Sequence, residues 1–162
     1  MAESFTNSLG RAVGVVTTAT SGSIGIQTNK VTGISTTGIG VSAIVDNQHY
    51  IAGTKVLNFG TAAQEVVFDR DSTNTAAATS QTLKFLGVTT TYTSTAGEKA
   101  ILIGGTFANN TNNQVNLTVS TYDASAGTEA AIASKVPVPY GSSFVITDTG
   151  KTLLEGLDEV RV

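Results

Sequence analysis

The chain has 162 residues, a formal net charge of −3 and no cysteine, so it can build one ordinary domain or two small ones without any disulfide framework. With 40% hydrophobic residues it can bury a core, which excludes a disordered chain. Its nine Lys and Arg are spread singly, which excludes the basic footprint of nucleic-acid binding, and no apolar run reaches the length that spans a bilayer as a helix.

Charged residues make up 13% of the chain, while Ser and Thr together supply roughly a quarter of it, well above ordinary usage. β-branched Thr and Val suit pleated surfaces, and 17 glycines with many Asn and Ser supply turns. This is the composition of an all-β protein with many short strands.

In chain order, residues 1–20 predict an N-terminal arm or first strand. The segment "ESFTNSLGRAVG" is too short to fold alone, and Phe5, Leu9 and Val13 are its candidate contacts with a neighbouring subunit. Residues 21–87 read as a second small β module. "VTGISTTGIGVSAIV" is punctuated by Gly and Thr, "HYIAGTKVLNF" and "EVVFD" are strand-like, and "DSTNTAAATS" is a polar loop before "QTLKFLGV". The borders echo one another, since "GVVTTATSG" (Gly14 to Gly22) resembles "GVTTTYTSTAG" (Gly87 to Gly97). The module is therefore expected to be inserted into, or duplicated within, a simpler parent domain.

Residues 88–162 read as an antiparallel β-sandwich or barrel. "KAILIGGTFA" and "QVNLTVSTY" are strands, the second alternating Val115, Leu117 and Val119 with Asn116, Thr118 and Ser120. Pairing Phe107 with Val115, and Ile103 with Val119, puts the apolar positions on one face and predicts a hairpin with a polar tip at Asn109–Asn113. Asn110 and Asn112 on that tip are candidate interface residues. In "SKVPVPYGSSFVIT", Pro137 and Pro139 lack N–H donors and predict an edge strand. Tyr140 in its turn is another candidate contact. "KTLLEGLDEVRV" closes the chain as two short strands.

Few motifs carry chemistry. His49 is the single histidine, with neither a serine elbow nor a cysteine to form a nucleophilic triad, and no set of zinc ligands. "GIGVSA" (Gly38 to Ala43) matches a dinucleotide fingerprint in letters, but β-like residues follow it where a helix is required. "TDTGKT" (Thr147 to Thr152) has Val145 where a Walker A loop needs glycine, and reads as a turn between strands. Asp69 and Asp71 form a D-x-D without the glycine-turned loop of a hard-cation site. Glu155, Asp158 and Glu159 read as charges that keep a strand edge soluble. The sequons at Asn109 and Asn116 need a secretory route, and the opening residues show no basic-then-apolar leader. Glycosylation is not expected. Neither catalytic residues nor a cofactor or metal are assigned.

The stretches "FTNSLGRAVGV", "TTYTSTAGEKAILIGGTFANNTNNQVNLTVSTYDASAGTEAAIASKVPVPYGSSFVI" and "LEGLDEVRV" resemble small structural proteins of tailed bacteriophages, especially those of marine cyanobacteria. The middle "VTGISTTGIGVSAIVDNQHYIAGTKV" is similar to a second module of such virion proteins. The resemblance implies a non-enzymatic virion protein that decorates or cements the capsid, with a neck, collar or tail protein, or a host-glycan-binding fibre module, as alternatives. It implies a homo-oligomer whose partners are the major capsid, neck or tail protein, with no nucleic acid or membrane. Such a protein is assembled in the host bacterial cytoplasm, where the absence of cysteine fits a reducing environment.

Overall fold

The computed structural model describes residues 10, 13–111 and 113–162, with the side chains of 148–151 left aside. Among them are twelve strands and no helix. Every ladder is antiparallel, and the sheets do not close into a barrel. The all-β expectation holds in its sandwich form. Of the candidate contacts, Phe5, Leu9 and Asn112 lie outside the described residues.

The first unit is a six-stranded sheet built from β1 (Val15–Ile24), β2 (Lys30–Thr32), β3 (Ile44–Asp46), β4 (Val56–Phe59), β5 (Glu65–Phe68) and β6 (Ala78–Leu86). Its order is β3-β6-β1-β2-β5-β4. The two outermost strands curl toward each other, where Val45 N–H donates to Thr54 O and Val56 N–H to Ala43 O, both at 2.9 Å. The curl wraps a hydrophobic core that includes Ile24, Val31, Ile34, Val45, Val66, Phe68, Leu83 and Phe85. β-branched residues dominate because they fill a pleated surface at little rotamer cost.

Strand β1 runs through the Thr20–Ser21 border and pairs with β6, from Val15↔Leu86 to Ile24↔Ala78. Residues 15–20 thus share the sheet of the module. The chain enters and leaves this unit at one point, where Gly87 N–H donates to Gly14 O at 3.0 Å. A second bond, from Gly14 N–H to Thr89 Oγ1 at 2.7 Å, ties that neck to the C-terminal unit. The echoed segments both begin at this neck, but one becomes β1 and the other becomes β7.

The C-terminal unit comprises β7 (Thr90–Thr93), β8 (Ala100–Ala108), β9 (Val115–Asp123), β10 (Thr128–Val138), β11 (Ser143–Leu154) and β12 (Glu159–Arg161). One sheet has the order β10-β9-β12-β7, and the other is the pair β11-β8. Their facing sides meet in a small core, with Val119 and Val160 from the first sheet and Leu154 from the second fully buried. Tyr92, Leu102, Phe107, Leu117 and Ile146 pack around them.

The expected β8–β9 hairpin does not form. Phe107 pairs with Phe144 of β11, and Val115 pairs with Val138 of β10. Residues 109–114 therefore cross from one sheet to the other. The apolar faces of β8 and β9 meet through the core instead of lying side by side, which buries both. The expected phase of β8 also fails, because Leu102 and Phe107 both face inward while Ile103 is 58% exposed. The irregularity lies at Gly104, opposite Thr147, where the register of β11 slips by several residues. A Cβ at Gly104 would stand 2.6 Å from Ile146 O, so this position admits only glycine without displacing backbone. In β9 the alternation holds, with Val115, Leu117 and Val119 inward.

Two smaller expectations are corrected. "TDTGKT" lies inside β11, at the register slip between Thr147 and Thr152, and is not a turn between strands. Glu159 sits on an interior strand, since β12 lies between β9 and β7, so its charge guards no edge. The edge position of β10, with Pro137 in it, is as expected.

Candidate interaction surfaces

The Asn-rich crossover is held by one buried side chain. Asn109 is 5% exposed, and its Nδ2 donates to Asn113 O at 2.8 Å and Val138 O at 2.9 Å. Its Oδ1 accepts from both the N–H and the hydroxyl of Thr111. Main-chain bonds from Asn109 N–H to Ser142 O, and from Gly141 N–H to Asn109 O, bind the same residue to the β10–β11 turn. The first sequon is therefore a structural staple, because the amide nitrogen a glycan would need already serves two carbonyls. Asn116 of the second sequon is exposed on β9.

The same bonds bring two candidate contacts together. Asn110 is exposed beside Asn109, and Tyr140 is 67% exposed in the adjoining turn. The crossover also leans on the module, since Asn113 Nδ2 donates to Tyr50 O at 3.4 Å. Val13 is half-buried next to the Gly14 neck and is not brought to that cluster by any described contact.

The two outer faces of the sandwich differ in chemistry. On the four-stranded sheet, Arg161 Nε donates to Glu159 Oε2 at 2.7 Å, Nη1 reaches Glu129 Oε2 at 3.4 Å, and the guanidinium lies 3.7 Å over the Tyr122 ring. Ser120 Oγ donates to Glu129, and Thr90 Oγ1 to Glu159. The bond from Arg161, then that from Thr90, holds the Glu159 carboxyl below its ordinary range. Asp123, at the β9–β10 turn, is lowered by hydrogen bonds from Ala126 N–H and then from Ser125.

Both folded carboxyls are thus more acidic than in the unfolded chain. Their contribution to stability is present above the ordinary carboxylate range and is lost as pH falls through the folded values. Solvent screens these exposed groups, so the effect is small. Melting curves of Glu159→Gln should lie slightly below those of the wild type near neutrality and converge with them in acid.

The outer face of the β8–β11 pair is apolar. Ile101, Ile103, Val145 and Leu153 are 50–58% exposed on it, and Ile101 lies opposite Leu153.

Several of the residues considered for chemistry have structural occupations. His49 is half-buried in a loop, with its N–H on Asn47 Oδ1 and its carbonyl accepting from Thr73. Asp69 Oδ1 accepts from Lys55 N–H at 2.8 Å. Asp158 is buried, and its two oxygens take the N–H groups of Ala124 and Glu155. An open concavity of about 280 Å³ lies against Tyr122, Asp123, Glu129, Leu154 and Asp158, and the three carboxylates in its wall are those already engaged. "GIGVSA" leads into strand β3, and Gly38 sits against Thr17 Oγ1. Among the described residues, no three His, Asp or Glu side chains gather to hold a metal ion.

Sequence patterning missed the exposed face of β8 and β11, because it placed Ile103 in the core. The signal was present in the unbroken apolar runs Ala100–Ile103 and Phe144–Ile146. The chain matches no family model, no curated protein and no solved structure.

Proposed function

We propose that this chain is a non-enzymatic structural protein of a bacteriophage virion, decorating or cementing the capsid, with one unit docked on the particle and the other projecting. The observation that carries the reading is the neck. A complete sheet with its own core hangs from the sandwich where Gly14 meets Gly87, so two compact units can each serve a separate contact. The resemblance of residues 88–162 to virion proteins supports the same reading. Many copies on one particle let weak contacts sum through avidity, with no need of a deep pocket.

A glycan-binding fibre module draws less support. Sugar sites in β-sandwiches rest on exposed aromatic platforms, yet Tyr50 is buried, Tyr92 packs on the core and Tyr122 is covered by Arg161, which leaves Tyr140 as the one well-exposed tyrosine.

The test is electron microscopy of particles assembled with and without the protein. Two-lobed density lost from the deficient particles, together with reduced particle stability, is expected. Equally stable particles with no missing density would refute the reading. Copy number then separates the positions: hundreds of copies indicate the capsid surface, and a ring-sized few indicate neck or tail.

A further inference from the structure

Two units of one chain move relative to each other unless a large apolar interface makes them a single body. The six-stranded sheet and the sandwich each close around a core of their own, and the two cores have no residue in common. Among the described residues, two hydrogen bonds run between them. Gly14 N–H donates to Thr89 Oγ1 at 2.7 Å, and Asn113 Nδ2 donates to Tyr50 O at 3.4 Å. The second is long beside the usual length of about 3 Å, and therefore weak.

The ends of the two bodies can be placed to the residue. Leu86 belongs to the sheet unit, where it pairs with Val15 at the last rung of the β1–β6 ladder. Thr89 belongs to the sandwich. It exchanges both main-chain bonds with Val162, at 2.7 and 2.9 Å, and its hydroxyl also reaches Val162 O. Only Gly87 and Val88 lie between these two anchors. Val88 is 66% exposed and makes no main-chain hydrogen bond to another described residue. Gly14 lies alongside as a bracket, with its carbonyl on Gly87 N–H and its own N–H on Thr89. Its φ is +74°, and a Cβ there would meet nothing within 4 Å, so torsion and not crowding selects glycine at this point.

We propose that Gly87–Val88 is a hinge on which the sheet unit swings as a rigid body against the sandwich, and that the Gly14–Thr89 and Asn113–Tyr50 bonds are catches favouring one orientation. Hinges of this kind are a few residues at element ends that absorb the change in φ and ψ while the flanking ladders stay intact. Both catches depend on a sandwich side chain, so each can be removed alone. Thr89→Val deletes the hydroxyl and keeps the shape. Asn113→Ala deletes the amide and leaves Asn113 O on the Asn109 staple.

Electron–electron resonance distances between paired spin labels test this in frozen solution, and the chain has no cysteine to compete for the label. Exposed sites are Ile26 and Ala62 in loops of the sheet unit, and Ala96 and Ala126 in loops of the sandwich. Ile26→Cys with Ala62→Cys, and Ala96→Cys with Ala126→Cys, report on each unit internally and should give narrow distributions. Ala62→Cys with Ala126→Cys, or with Ala96→Cys, spans the hinge and should give a distribution about twofold wider or more. Asn113→Ala and Thr89→Val should each widen the spanning distribution further, and the two together most, with far-UV circular dichroism unchanged. A spanning distribution as narrow as the internal ones overturns the hinge, and one that neither substitution alters overturns the catches. The measurement uses the chain alone, so a hinged chain that never enters a virion would defeat the proposed function and leave this inference standing.

Discussion

Phe68→Ala should lower the stability of the N-terminal sheet by about 3–5 kcal/mol, the usual cost of emptying a large aromatic site in a core. Every residue of β5 is buried, and Phe68 is fully so, with the Tyr50 ring 4.6 Å away at 53° and the Phe85 ring stacked at 6.4 Å. Its main chain is fixed on both sides, with its N–H on Asn29 O and its carbonyl accepting from Asn29 Nδ2, so the site cannot collapse onto the cavity. The melting transition of this unit should fall by roughly 10 °C or more. A paired substitution gives the opposite sign. The Tyr50 hydroxyl is buried without a hydrogen-bond partner, and burial, followed by the nearby Asp71 charge, pushes its ionisation upward. Tyr50→Phe removes a desolvated hydroxyl and keeps the ring, so stability should hold or rise. Thermal melts of both variants check the pair; a mild Phe68→Ala or a strongly destabilising Tyr50→Phe would be inconsistent with this core.

Asn109→Ala should cost about 2–4 kcal/mol, because each buried group left without its partner costs roughly 1–3 kcal/mol. The change orphans the carbonyls of Val138 and Asn113 and frees Thr111 from Oδ1. Asn109→Asp should be no better, since a carboxylate would point its oxygens at two carbonyls. The neighbouring Asn110→Ala, on an exposed side chain, should stay within about 0.5 kcal/mol. Chemical denaturation of the three variants measures this contrast. Equal effects at Asn109 and Asn110 would remove the staple from the account.

Strand identity was largely legible in the sequence, while strand pairing was not. β9 announces its inner face through strict alternation, and Pro137 announces an edge, because both signals are local. The partner of β8 is decided by long-range burial: pairing with β9 and packing across a core from β9 satisfy the same apolar residues. Nothing between Ala108 and Val115 distinguishes a hairpin tip from a crossover until Asn109 is seen to be buried. The phase of β8 was hidden by Gly104, where the register slip moves Ile103 to the outside and leaves Phe107 within. The neck is likewise invisible as a contact, although the repeated "GV" starts at Gly14 and Gly87 mark it in letters.

The interaction surfaces follow the same division. Tyr140 and Asn110 were legible as polar turn residues and prove to be neighbours, joined through the main chain of Asn109. Of the aliphatic face at Ile101, Ile103, Val145 and Leu153, Ile103 was read as core, because an outward apolar residue and an inward one look alike in a continuous run.

The account holds that this chain acts by assembling onto a virion. The most direct test of the proposed function is quantitative mass spectrometry of gradient-purified particles of a tailed phage whose genome carries this sequence. The chain should be present in a fixed ratio to the major capsid protein, in copies that follow the particle's symmetry. A chain found free in the lysate and missing from the particles would contradict the account.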